Sequence, residues 1–169
     1  MPLSTQTLIQ VNAFLSNTGA DLTVPSANIV FAQQLNLDTG TGAGQADKVY
    51  VDTNTLGASG TVDIDLAGSL TDALGAALTF VRVKGIFIRA AVGNTNNVVL
   101  GGAAATQFVG PFGAAAHTIA VRPGGFFGIM SQDATGWTVG AGASDFLRVA
   151  NSAAGTSVTY DILIIGASA

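Results

Sequence analysis

A chain of 169 residues, 49% hydrophobic and only 9% charged, with no Cys and no Glu, is long enough to bury one core without disulfide staples. Its formal net charge of -4 and pI near 4.4 argue against a nucleic-acid partner, because phosphate contacts need clustered Lys and Arg and the six basic residues form no patch in sequence. The missing Cys removes thiolate metal sites and thiol nucleophiles, while 22 Gly among many Thr, Val and Ile predict short strands and tight turns, hence a single all-β domain.

Residues 1–25 are read as an N-terminal arm or first strand, ahead of an antiparallel β-sandwich of jelly-roll type over residues 26–169. The opening MPLSTQTLIQVNAFLS lacks the basic start and unbroken apolar core of a secretion signal, and no run approaches the ~18 apolar residues of a membrane span. No membrane partner is therefore expected, and assembly is expected in a cytoplasm. Leu8, Ile9, Val11, Phe14 and Leu15 fit neither the helical nor the strand period cleanly. A disordered tail would not be expected to carry so many apolar groups, which makes these five residues interface candidates.

The segment SNTGADLTVPS has the composition of a loop. Residues 27–37 then read as a strand with Ile29, Phe31 and Gln33 on one parity, DTGTGAGQ as a turn, and residues 48–53 as a short alternating strand. GTGAG within that turn is not a dinucleotide fingerprint, because the third glycine and the following helix are missing.

The densest stretch is residues 60–92. Val62, Ile64 and Leu66 alternate with Asp63 and Asp65, as in a strand with one buried face. Residues 70–78 read as a wide loop or brief helical turn, with Ser69 or Thr71 as a cap. Val81 and Val83 share one parity, but Ile86 and Ile88 occupy the other, which predicts a β-bulge at Gly85. Arg82 and Lys84 fall on one face and are expected to meet Asp residues of this chain or a neighbour, since an unpaired cation in a packed interface is costly.

The remainder repeats a rhythm of short strands and Gly, Pro, Asn or Ser punctuation. Strands are expected at residues 98–100, 106–109, 117–121, 126–131, 136–139, 145–150 and 157–166, the last starting half-wet and ending buried on both faces. RPGGFF suits a tight reversal with both Phe re-entering the core, and Trp137 is expected to cap one end of the domain, or to be a contact hot spot if exposed.

Chemistry is scarce. The one His, His117, reads as a hydrogen-bonded edge or core residue, with no Cys or Glu to partner it and no nucleophile elbow anywhere. Asp63 and Asp65 point the same way along one strand, where calcium would be the most reasonable ligand and two solvated carboxylates the simpler reading. No catalytic residue, metal site or cofactor is expected.

The succession SLTDALGAALTFVRVKGIFIR, NNVVLGG, FVGPFG, IAVRPGGFF, GWTVG and DFLRVANSAAGTSVTYDILIIG resembles small structural proteins of tailed bacteriophages. The likeness runs from Ser69 to Gly166 and does not extend over residues 1–56. It implies an all-β virion protein of jelly-roll or sandwich type without catalytic residues. The expected role is a head decoration or cement protein that binds the major capsid protein or other virion proteins as a homo-oligomer, a trimer. A tail or fibre component carrying a receptor-binding jelly roll is the second reading, and a carbohydrate-binding, lectin-like module or glycan-cleaving enzyme using Trp137 and the Asp residues is the third. Arg82, Lys84 and Trp137 join the N-terminal apolar residues as interface candidates.

Overall fold

The computed structural model describes residues 2–17, 26–68, 70–103 and 105–169. Its strands in chain order are β1 (Thr5–Ser16), β2 (Ser26–Thr39), β3 (Gln45–Ala46), β4 (Lys48–Leu56), β5 (Thr61–Asp65), β6 (Leu70–Thr71) and β7 (Ala77–Leu78). They continue with β8 (Arg82–Ala90), β9 (Val98–Gly101), β10 (Thr118–Val121), β11 (Phe126–Met130), β12 (Trp137–Thr138), β13 (Phe146–Asn151) and β14 (Val158–Ala167). A single 3-10 turn, Gly110–Phe112, is the one helical element among the described residues.

Two antiparallel sheets form the body. One has the order β10-β9-β13-β5, and the other has β11-β8-β14-β4 with β12 added beside β8. The apolar sides of both contribute to one buried cluster. Ile64, Val98, Leu100, Val121, Leu147 and Val149 come from the first sheet, and Leu56, Val83, Ile86, Ile88, Val158, Tyr160, Ile162 and Ile164 from the second. Period-two alternation puts these residues on one face of each strand, and the pattern of β14 changes along its length as expected, with both faces buried by Ile164 and Ile165.

The bulge falls where the parity switch places it. Ile165 pairs with Gly85 and Gly166 with Val83, so Lys84 is the unpaired extra residue of β8. Val83 and Ile86 thereby both reach the core. The partner strand has no room for a side chain at this point, since a Cβ on Gly166 would lie 2.2 Å from the Arg82 carbonyl oxygen and 2.6 Å from the Phe80 ring.

Three expectations are corrected. Residues 70–78 form a small hairpin, β6 with β7, because the Asp72 carboxylate accepts the amides of Leu74 and Ala76 at 2.9 Å each and Gly75 takes φ +84. That side-chain cap closes a turn too short for a helix. Residues 106–109 give only an isolated bridge at Gln107 before the 3-10 turn, in which Pro111 stands near the start. Of the aromatic pair after RPGG, Phe127 packs on the core but Phe126 turns outward. The expected loop at 18–25 and the possible cap at Ser69 lie outside the described residues.

Gly166→Ala is expected to cost at least ~2 kcal/mol, since neither the Arg82 carbonyl nor the Phe80 ring can yield without disturbing the bulge. Urea unfolding measures it; a variant within ~0.5 kcal/mol of the parent would show that the bulge relaxes freely.

Candidate interaction surface

The residues first considered for chemistry are occupied in holding the fold. Arg148 of β13 faces Asp63 of β5 across the strand pair and holds both its carboxylate oxygens, at 2.7 and 2.8 Å. The Asp63 hydrogen bond is the main cause that raises the guanidinium above its usual range. Asp65 accepts the Ala67 amide at 3.2 Å. Among the described residues no group of three or more His or Asp side chains is placed to hold a metal ion. His117 is exposed just before edge strand β10, its Nδ1 2.7 Å from the Phe112 carbonyl oxygen.

Arg82 and Lys84 do meet their own chain, chiefly through main-chain carbonyls. Lys84 is 0% exposed and its Nζ donates to the Asp133 carbonyl oxygen. Burial lowers the Lys84 pKa, and the nearby Asp133 charge opposes that shift. Arg82 donates to the carbonyls of Ala134, at 3.0 Å, and Thr41, at 3.4 Å. Lys84 is therefore sealed under the loop that follows β11 and is not presented to a neighbour. Trp137 is half-buried opposite Val83 and packs on the main core.

Loop anchoring by asparagines was missed by sequence reasoning. Asn94 exchanges two hydrogen bonds with the Thr159 backbone, at 2.9 and 2.8 Å, and so extends the β14 ladder with its side-chain amide. Asn151 is buried, donating to the carbonyls of Gly57 and Thr156 and accepting from Asn96. Only the polar GNTNN run hinted at this, and it reads as a turn without the partners in view.

The unexplained surface is apolar. β1 and β2 pair over twelve consecutive residues, Thr5↔Leu37 to Ser16↔Ser26, with no register shift. Directly opposed residues share a face, so one face carries Ile9 with Gln33, Val11 with Phe31, Ala13 with Ile29, and Leu15 with Ala27. The other is mostly polar, with Gln10, Asn12, Ser16, Ser26, Asn28 and Gln34 beside Leu8, Phe14, Val30 and Ala32. Beyond Leu8 both faces are exposed; Phe31 is 62% and Leu15 67% accessible. The base is fixed, since Leu37 is buried with Ala46 and Ile165, Thr39 exchanges hydrogen bonds with the Leu3 backbone, and Gln132 donates to the Asn36 carbonyl. Leu8, Ile9, Val11, Phe14 and Leu15 thus all lie on one protruding ribbon, completed by Ile29, Val30 and Phe31, which the sequence reading had placed in the body.

A second apolar surface lies on the outer side of the β11-β8-β14-β4 sheet. Val51, Phe87 and Leu163 are cross-strand neighbours there, and Phe126 stacks against Phe87 with ring centroids 6.3 Å apart. Together they line a shallow groove of about 340 Å³, bordered by the Arg89–Asp161 ion pair. A further gap of about 440 Å³ separates Phe87, Phe126 and Leu163 from residues 5–8 at the ribbon base. A third cleft, about 440 Å³ beside β6 and β7, has its carboxylates engaged, Asp47 by Ser168 and Asp72 by its own turn.

No protein-family model, curated protein or solved structure matches the chain. No helix among the described residues is long and apolar enough to cross a membrane.

Calcium and chelator should leave the thermal midpoint unchanged, while Asp63→Asn should lower stability by ~0.5–1 kcal/mol; a calcium-dependent rise in midpoint would show that the carboxylates bind the ion in preference to Arg148. Burial, then the Asp52 charge and hydrogen bond, push Tyr50 up to about 12, and burial raises Tyr160 as well. Their stabilising contribution is complete below the ordinary tyrosine value of ~10 and is lost as pH rises through the folded values. Phenolate absorbance should consequently emerge together with alkaline unfolding, and a titration centred at ~10 in the folded protein would contradict the burial argument.

Proposed function

We propose that the chain is a non-enzymatic structural subunit of a bacteriophage virion, a head decoration or cement protein that binds the major capsid protein as a homo-oligomer, a trimer. Its body is then a sandwich of jelly-roll type. The observation that carries this reading is the protruding β1–β2 ribbon, whose apolar face has no use in an isolated subunit. The order of motifs from Ser69 to Gly166, similar to phage structural proteins, supports the same reading. So does the assignment of His117, Asp63, Arg148 and Lys84 to contacts within the fold.

The lectin-like reading is less well supported, because Trp137 packs on the core and offers no open aromatic platform. A tail or fibre location shares the structural chemistry and differs in stoichiometry.

Quantitative mass spectrometry of purified particles tests the proposal. A copy number in fixed proportion to the major capsid protein is expected. A few copies per particle would move the chain to the tail, and its absence from particles would overturn the virion assignment.

A further inference from the structure

We propose that the apolar face of the β1–β2 ribbon docks into the outer-sheet groove of a second copy of this chain, so that copies join ribbon to groove around a closed ring. The inference deepens the reading of the chain as an assembly subunit and rests on it, but it concerns a contact the isolated protein makes by itself.

The ribbon face and the groove match in chemistry. The strands of the ribbon carry no charged residue between Thr5 and Ser16 or between Ser26 and Leu37, so the ribbon itself brings no ion to be desolvated. The groove's own charges, Arg89 and Asp161, are already paired at 2.6 Å. The ribbon face is continuous with a contact the fold already makes. Leu37, on the same face as Ile29 and Phe31, is fully buried beside Ile165 of the outer sheet, and Leu35 between them is half-buried. The face that covers the lower row of one sheet overhangs beyond it, ready to cover another.

The ribbon leaves its own groove uncovered. It runs without a bulge through twelve pairs, Phe31 and Phe126 are each 62% exposed, and a gap remains between its base and Phe87. Packing of two ribbons face to face around a two-fold axis would cover Phe31 but leave Val51 and Phe126 in water; ribbon into groove covers both surfaces at once.

Area favours closure. The nine outer pairs span about 30 Å, and at about 10 Å width the face amounts to roughly 300–400 Å². That is under half of the ~800 Å² per partner of a stable interface. A subunit that gives one ribbon and receives another doubles its buried surface, and a head-to-tail contact of this kind builds a ring when the rotation closes.

Sedimentation of the purified chain tests the contact. The parent should be an oligomer. Phe31→Asp on the ribbon and Phe126→Asp in the groove should each give monomers with circular dichroism like the parent, both side chains being exposed. An equal mixture of the two variants retains one intact ribbon and one intact groove and should form a dimer, weaker than the parent oligomer because it has a single contact, that grows no further. Val51→Asp repeats the groove arm of the experiment should Phe126→Asp fail to fold. A monomeric parent overturns the proposal, as does a groove variant that remains oligomeric, the latter pointing to ribbon on ribbon. A chain that assembles in this way but is missing from particles overturns the virion assignment and leaves the contact standing; a monomer found on particles does the reverse.

Discussion

The bulge at Lys84 and Gly85, closed against the side-chain-free Gly166, ties the core packing to the loops that seat the ribbon. One extra residue in β8 lets Val83 and Ile86 both reach the core and turns Lys84 out of the alternation. The buried ammonium then holds the Asp133 carbonyl, and the adjacent Arg82 holds those of Ala134 and Thr41. These two loops carry the seat of the ribbon, because Gln132 binds both the Gly44 amide and the Asn36 carbonyl. A backbone irregularity in the central strand is in this way linked, by hydrogen bonds to main-chain carbonyls, to the one feature that leaves the body.

That economy of charge is consistent throughout. Charged side chains that find a partner do so within the chain, Arg148 with Asp63 and Arg89 with Asp161. Loops are tied by Asn, Asp and Ser side chains accepting or donating to backbone groups, which satisfies backbone polar atoms without ion pairs. Such a surface is weakly hydrated compared with a Lys- and Glu-rich one, and it suits close packing against neighbours.

Much of the body was legible in the sequence because each relevant signal is local. Alternation at Val62 to Leu66 and at Val158 to Ile165, and the parity switch around Gly85, are properties of one strand. Glycine-rich punctuation located the ends of most strands within a residue or two. The hairpin at 70–78 was missed because its turn depends on Asp72 capping amides two and four residues ahead, which competes with the helical reading of the same composition. The ribbon was only half legible for a different reason. Leu8 and Phe14 blur the period of β1 when it is read alone, and its apolar face emerges only when Ile9, Val11, Ala13 and Leu15 are set opposite Phe31, Ile29 and Ala27. Register is a long-range property, set here by the pairing of β1 with β2, and no single-strand pattern contains it.

The energetics of that ribbon bear on the assembly proposed for it. A two-stranded hairpin is marginal in water, because each ordered residue costs ~1–2 kcal/mol of backbone entropy and a ribbon exposed on both faces recovers little of it through burial. Anchoring at Leu37 and Thr39 fixes one end only. The apolar side chains beyond it contribute ~1.5–3 kcal/mol each when fully buried, a gain available only on contact with another surface. Because every copy in a ring would supply the same element, several weak contacts act together once the first has formed, and the effective concentration of each remaining ribbon is set by the ring itself. An element marginal in one subunit can thus be stable in the assembly, with the order of the ribbon and the closure of the ring supporting each other.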